Sequence, residues 1–146
     1  MSIQIKSKER VKNFAEVFTA EREVKAMCDL IPEETWNNIE SRFLEPCCGN
    51  GAFLREILDR KLKRCKTPKD GLKALNSIFG IDIQQDNVDE SRQLLFQMYC
   101  DYFPNATATA IVLAAQIIKK RIVCGDSLKI MAEWQAESEN KQLSFI

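Results

Sequence analysis

The sequence predicts an α/β domain built on about three parallel strands, with flanking helices and a helical N-terminal segment. Three observations carry this expectation. Strand-like runs occur at 43–45, 77–83 and 119–126, and each carries a carboxylate at or beside its end: Glu45, Asp82 or Asp126. Amphipathic charged stretches separate the runs, which is the alternation expected of a parallel sheet covered by helices. Between the first run and its helix lies Pro46-Cys-Cys-Gly-Asn-Gly51, a compact turn, so the order there is strand, tight loop, helix.

With 146 residues, 45% hydrophobic and 29% charged, the chain suits one soluble domain with a sizeable core. Its parts are an N-terminal helical segment over 1–32, an α/β core over 42–132 and a polar tail over 133–146.

Residues 1–31 predict helix, because Val11, Phe14, Val17, Phe18, Val24, Met27 and Leu30 recur every three or four positions. Thr19 interrupts the pattern and reads as the cap of a second helix, although Arg22 stands where a capping box would want Glu or Gln. Pro32 stops that helix, and Glu33 to Ser41 is a polar connector containing Trp36. After the glycine turn a helix runs to about Arg64. Lys66-Thr-Pro-Lys-Asp-Gly71 then reads as a surface loop from its Pro, Gly and charge content. A short helical piece over 72–76 leads into the second strand.

Asn87 to Phe103 predicts an amphipathic helix with Val88, Leu95, Met98 and Tyr102 on one face, ended by Pro104. Ala106 to Ile118 is apolar nearly all round; too short to span a bilayer, it predicts a buried helix. The third strand follows, and from Met131 the sequence turns polar.

The chemistry concentrates at the carboxyl ends of these strands, where ligands bind in open α/β folds. Gly49 and Gly51 permit positive φ and close approach, and the free N–H groups of the next helix favour a carboxylate or phosphate. Asp82 has two readings, an acceptor for the hydroxyls of a ribose or a cap on the next helix, a task that Asp86 fits better. Asp126 likewise reads as a ligand acceptor or as a helix cap.

Several classes are excluded. With no histidine anywhere, imidazole-based acid–base and triad chemistry cannot be carried by these residues. No Cys-x-x-Cys pair occurs, which removes most zinc patterns, and no metal is expected. Six cysteines follow a start without an apolar run, so free thiols in a reducing cytosol are expected. A formal net charge of zero does not fit a dedicated nucleic-acid clamp. The local cluster Arg60, Lys61, Lys63, Arg64, Lys66, Lys69 and Lys73 reads as a solvated helix end, with phosphate contact as the alternative.

The stretch Phe43-Leu-Glu-Pro-Cys-Cys-Gly-Asn-Gly-Ala-Phe-Leu54 resembles the first motif of S-adenosylmethionine-dependent adenine-N6 DNA methyltransferases of restriction-modification type, Leu-Asp/Glu-Pro-small-Cys-Gly-Ser/Asn-Gly-x-Phe-Leu. A dinucleotide fingerprint would want a third glycine and less bulk at Phe53. Gly80-Ile-Asp-Ile-Gln-Gln-Asp-Asn-Val88 resembles the second motif, and Gly125-Asp-Ser-Leu128 the third. Phe18-Thr-Ala through Val24 is similar to the N-terminal segment that closes over the cofactor, with Ala20 in place of the usual Pro.

The resemblance implies a Rossmann-like methyltransferase fold and S-adenosylmethionine as cofactor. It places Thr19, Glu45, Pro46, Cys47, Gly49, Asn50, Gly51, Phe53, Asp82, Ile83 and Asp126 around that cofactor. In it the glycine loop wraps the methionine end, Asp82 binds the ribose and Asp126 accepts the adenine amino group.

No Asn-Pro-Pro-Tyr or Asp-Pro-Pro-Tyr occurs in the chain, the segment that holds the target base in this family. The expectation is therefore the cofactor-binding part of such an enzyme, acting on DNA when complete and inactive alone. In the family fold the first strand is central, so the Phe43 to Glu45 edge is expected to be open, and to pair with a chain carrying the missing half or with a second copy. The alternatives are a non-catalytic interaction module on the same scaffold and a methyltransferase for a non-DNA acceptor.

Overall fold

The computed structural model describes residues 3–10 and 18–144. It opens with an antiparallel ribbon, β1 (Ile3–Gln4) and β2 (Phe18–Thr19), in which Ile3 pairs with Thr19 and Gln4 with Phe18. The helix predicted across 1–31 is thus corrected. Within 1–31 the described helical residues are 8–10 and α1 (Glu21–Cys28), while Val11, Phe14 and Val17, on which the periodicity leaned, lie outside the described residues. Phe18 is buried, and Thr19 is a strand residue and no cap. The N-cap of α1 is Ala20, which offers no side-chain acceptor; Glu21 and Glu23 in the first turn favour the helix dipole instead.

The predicted connector contains a short helix, α2 (Glu33–Asn37), whose Trp36 is buried and stacks on Phe43 with ring centroids 4.9 Å apart. Phe43 opens strand β3 (Phe43–Glu45). Helix α3 (Ala52–Leu62) follows the glycine loop and buries Leu54, Ile57, Leu58 and Leu62 at helical spacing.

The stretch expected to be a loop is the start of helix α4 (Pro68–Asn76). Thr67 is its N-cap, Pro68 occupies the first turn, and the Thr67 and Asp70 side chains each accept the other residue's backbone N–H in a capping box. The Pro and charge content that suggested a loop is therefore the signature of a helix start. Gly71 lies inside this helix because a Cβ there would come within 2.4 Å of the Phe103 ring.

Strand β4 (Ile78–Asp82) leads to helix α5 (Gln85–Tyr102), which buries Val88, Ser91, Leu95 and Tyr99. Tyr99 takes the inward place expected for Tyr102, which is exposed. Helix α6 (Ala108–Arg121), expected to be buried all round, is a surface helix. It packs through Ala114 and Ile118 on the outside of the helical layer and leaves Val112 and Leu113 in solvent. Its composition could not reveal that only one stripe would find a partner. Strand β5 (Ile122–Cys124) and helix α7 (Ser127–Ser144) are the last described elements. Helix α7 runs through the predicted polar tail, and its Trp134 meets Phe79 edge-on at 5.1 Å.

The sheet is parallel and open, in the order β3-β4-β5. Phe43 lies beside Ile78, Gly80 beside both Glu45 and Ile122, and Asp82 beside Cys124. The core beneath it joins Leu54, Leu58, Ile78, Val88, Leu95, Ala114 and Ile122. Strand β3 is an edge with no partner on its outer side among the described residues.

Buried Lys61 locks this edge. Its amine donates to Ile39 O at 2.8 Å, Ser41 O at 2.6 Å and Ser77 Oγ at 2.9 Å. Three donors meet three acceptors, with no carboxylate among them. Burial accordingly pulls its pKa down to about 8.

Candidate ligand-binding cleft

A cleft of about 470 Å³ opens at the carboxyl ends of the three parallel strands. Its wall contains Thr19, Glu45, Pro46, Cys47, Gly49, Asn50, Phe53, Asp82, Ile83 and Asp126, so the structure gathers nearly all of the sequence-predicted residues in one place. Gly51 stands behind the wall as the N-cap of α3, with φ +97° and so little room that a Cβ would lie 3.0 Å from Ser91 Oγ. Phe18, Cys48, Ala52, Gln84, Gly125, Ser127 and Leu128 also line the cleft and were not among the predicted site residues. Most are direct neighbours of predicted ones. Phe18 belongs to the segment that the resemblance placed over the cofactor, and it lies on Gly49, where a Cβ would come within 2.9 Å of its ring.

The glycine loop is held from below. Cys48 N donates to Ile81 O at 2.8 Å, Ser91 Oγ to Gly49 O at 3.1 Å, and Gly49 N to Asp82 Oδ2 at 2.9 Å. Asp82 Oδ1 accepts from Gln84 N at 2.8 Å and from Asn87 Nδ2 at 3.1 Å. Asp82 therefore also does the helix-start work assigned to Asp86. Asp86 accepts Asn87 N at 2.9 Å in the same first turn, and in addition the Arg10 guanidinium in a two-pronged pair, at 2.7 and 2.9 Å, and Lys6 Nζ at 3.0 Å. These contacts tie residues 6–10 to the start of α5, beside Phe18.

Asp126 caps α7, with Oδ1 accepting from Leu128 N at 2.9 Å and Lys129 N at 3.3 Å. The helix-cap reading of Asp126 is thus realised, and its second oxygen remains for other use. Glu45 is the least engaged carboxylate. It accepts one long bond from Cys47 N at 3.4 Å, and burial pushes its pKa above the usual range.

The charge inventory is one-sided. Glu45, Asp82 and Asp126 line the cleft, and among the described residues no lysine or arginine does. A phosphate, which the glycine turn alone suggested, would meet three carboxylates and no cation. A cationic ligand with hydroxyl or amino donors suits the lining better. Ile83 and Leu128 are 60% and 78% exposed although apolar, which favours a ligand with a flat apolar part to cover them. Nothing in the cleft activates the thiols: burial and the neighbouring Asp82 charge push Cys48 up to about 12, and burial also raises Cys47.

The basic cluster at the end of α3 is largely neutralised. Arg60 pairs with Asp29 at 2.7 Å, Lys63 with Asp59 at 2.8 Å, and Arg64 with Glu33 at 2.5 Å, while Lys61 is buried. Among the described residues no group of three or more His, Cys, Asp or Glu could hold a metal ion, and no helix is long and apolar enough to cross a membrane. Comparison with protein-family models, curated proteins and solved structures finds no match.

Proposed function

We propose that the cleft binds S-adenosylmethionine, and that the chain is the cofactor-binding part of an S-adenosylmethionine-dependent adenine-N6 DNA methyltransferase. The observation that carries the cofactor is the charge inventory: three carboxylates and, among the described residues, no cation, around a glycine loop and the N-terminus of α3. The volume lies within the range of roughly 300–1,000 Å³ typical of cofactor sites.

Each end of the cofactor has a chemical counterpart in the wall. Glu45, unpaired and facing the cleft, suits the ammonium group and lowers the potential around the sulfonium. The N–H groups of the first turn of α3, which have no intrahelical acceptor, suit the methionine carboxylate. Asp82 keeps one acceptor direction on Oδ2 for a ribose hydroxyl, and Asp126 keeps Oδ2 for an adenine amino group. Ile83 and Leu128 provide the apolar surface for the base.

When bound, the cofactor supplies a methyl group made electrophilic by its sulfonium. The residues of this chain hold and orient that group; none of them is placed to activate an acceptor. The choice of adenine in DNA as acceptor rests on the resemblance of Leu44-Glu-Pro-Cys-Cys-Gly-Asn-Gly-Ala-Phe-Leu54 to the first motif of that family. The open β3 edge, with Leu44 exposed, is where a further strand of a catalytic domain would pair.

The test is calorimetric titration of S-adenosylmethionine into the 146-residue chain, with Glu45→Gln as control. Micromolar binding, weakened at least about tenfold in the variant, is expected from loss of a charge-assisted contact. Absence of binding overturns the reading. It would favour an interaction module, to which one observation already points: Asp82 and Asp126 both serve the protein's own backbone. Methyl transfer to DNA by the chain alone is not expected.

A further inference from the structure

At the opposite end of the sheet, each strand is preceded by a polar residue: Arg42 before β3, Ser77 before β4 and Arg121 before β5. Together with Lys73, Asn76 and Phe79 they line a pocket of about 170 Å³, large enough for a tetrahedral oxyanion and small for a nucleotide. Parallel strands in register bring their starting residues together, so the two arginines converge although 79 positions separate them in the chain.

The cations here are not used up by the fold. Arg121 is fixed by Nε, which donates to Asn76 O and Asn76 Oδ1, both at 3.1 Å, and by stacking at 4.6 Å over the Phe79 ring. Its two terminal nitrogens have no acceptor among the described residues. Arg42 and Lys73 form no ion pair among them either, in contrast to Arg60, Lys63 and Arg64. The carboxylates nearby are Glu40 in the lining, Glu137, whose charge reaches Arg121, and Asp70, engaged in the α4 capping box; Glu40 and Glu137 make no ion pair among the described residues. Burial, and then the like charge of Arg42, lower the pKa of Arg121. Cations held together with no carboxylate bound to them in an ion pair are the arrangement that anion sites use.

We propose that this pocket binds a phosphate-type oxyanion, held by the terminal nitrogens of Arg121 with Arg42 and Lys73 around it. The proposal is independent of the reading of the cleft. The phosphate could be free or borne on a nucleic-acid backbone, and the experiment separates the two.

Inorganic phosphate is titrated into the full chain at constant ionic strength, with binding followed by calorimetry and by thermal shift. Saturable binding is expected, weakened about tenfold in Arg42→Gln, whose side chain no fold contact requires, and in Lys73→Gln. Lys119→Gln, an equal loss of charge on exposed α6 surface outside the pocket, should leave it unchanged. Competition by a short DNA duplex that is lost in Arg42→Gln assigns the site to backbone phosphate; saturable binding without such competition assigns it to the free ion. A response that never saturates, or an equal loss in Lys119→Gln, overturns the proposal.

Discussion

Asp82 Oδ2 accepts the backbone N–H of Gly49 at 2.9 Å, across 33 positions of sequence. This bond joins the end of β4 to the loop after β3, while Oδ1 holds the start of α5. One carboxylate thus sets the spacing between the two walls of the cleft.

Asp82→Ala should therefore act first on stability. Three donors lose their acceptor, and a loss of about 1–3 kcal/mol is expected for such groups left unsatisfied. Urea unfolding measures it. Glu45→Gln, which removes a charge engaged in one long bond, should unfold close to the parent. A destabilisation of Glu45→Gln as large as that of Asp82→Ala would refute this division between a structural and a ligand-facing carboxylate.

The proposed cofactor should bind more weakly in acid. Glu45 must be ionised to hold a cation, and burial has raised its pKa above the value of 4.5 for the free side chain. Affinity should rise as pH climbs through that raised pKa and level off above it. Titrations of S-adenosylmethionine across this window should give a flatter profile in Glu45→Gln; an identical slope would remove Glu45 from the site.

Lys61 gives the opposite end of the molecule its own pH dependence. Its folded pKa of about 8 lies below the unfolded value of 10.5, so the unfolded chain binds more protons between these values. The protein should gain stability as pH rises from about 8 to 10.5, and lose that gain as pH falls back. Relative to Lys61→Met, the parent should gain up to about 3 kcal/mol over this range. The difference between the two chains cancels the thiols, which titrate in the same region with the reverse sign. Denaturant melts at three pH values would test it, and a constant difference would contradict the burial argument.

The N-terminal ribbon should loosen with acid and with salt. The Arg10 guanidinium, and then Lys6, hold the Asp86 carboxyl well below the usual carboxylate range. This contribution is complete above the unfolded pKa of about 3.8 and is lost as pH falls through the folded value. The carboxylate is half exposed, so only a few tenths to about 1 kcal/mol is expected from the contact. Asp86→Asn should increase amide hydrogen exchange in 3–10 and 18–19 while sparing β4. Unchanged exchange there would mean that Phe18 alone holds the ribbon to Gly49.

Much of the cleft was legible in the sequence because its residues come in short local runs. Glu45, Gly49 and Gly51 mark a strand, a turn and a helix within seven positions, and Asp82 and Asp126 lie at or beside the ends of the other two strand-like runs. Parallel pairing then brings strand ends together as a matter of topology. What the sequence hid was orientation and partnership. The helix periodicity of the N-terminal segment gave no warning of an antiparallel ribbon, because burial of Phe18 against the glycine loop depends on contacts far away in the chain.

By itself, then, the sequence determined the α/β alternation, the glycine turn and the three carboxylates at strand ends, since backbone freedom and apolar period are local properties. Only the tertiary structure decided that Asp82 and Asp126 hold helix starts and loop while Glu45 keeps one long bond, that α6 exposes Val112 and Leu113, and that Arg42, Lys73 and Arg121 meet at the far end of the sheet. Those outcomes depend on which groups finally lie within hydrogen-bonding and Coulomb range, and distance in space is fixed by packing.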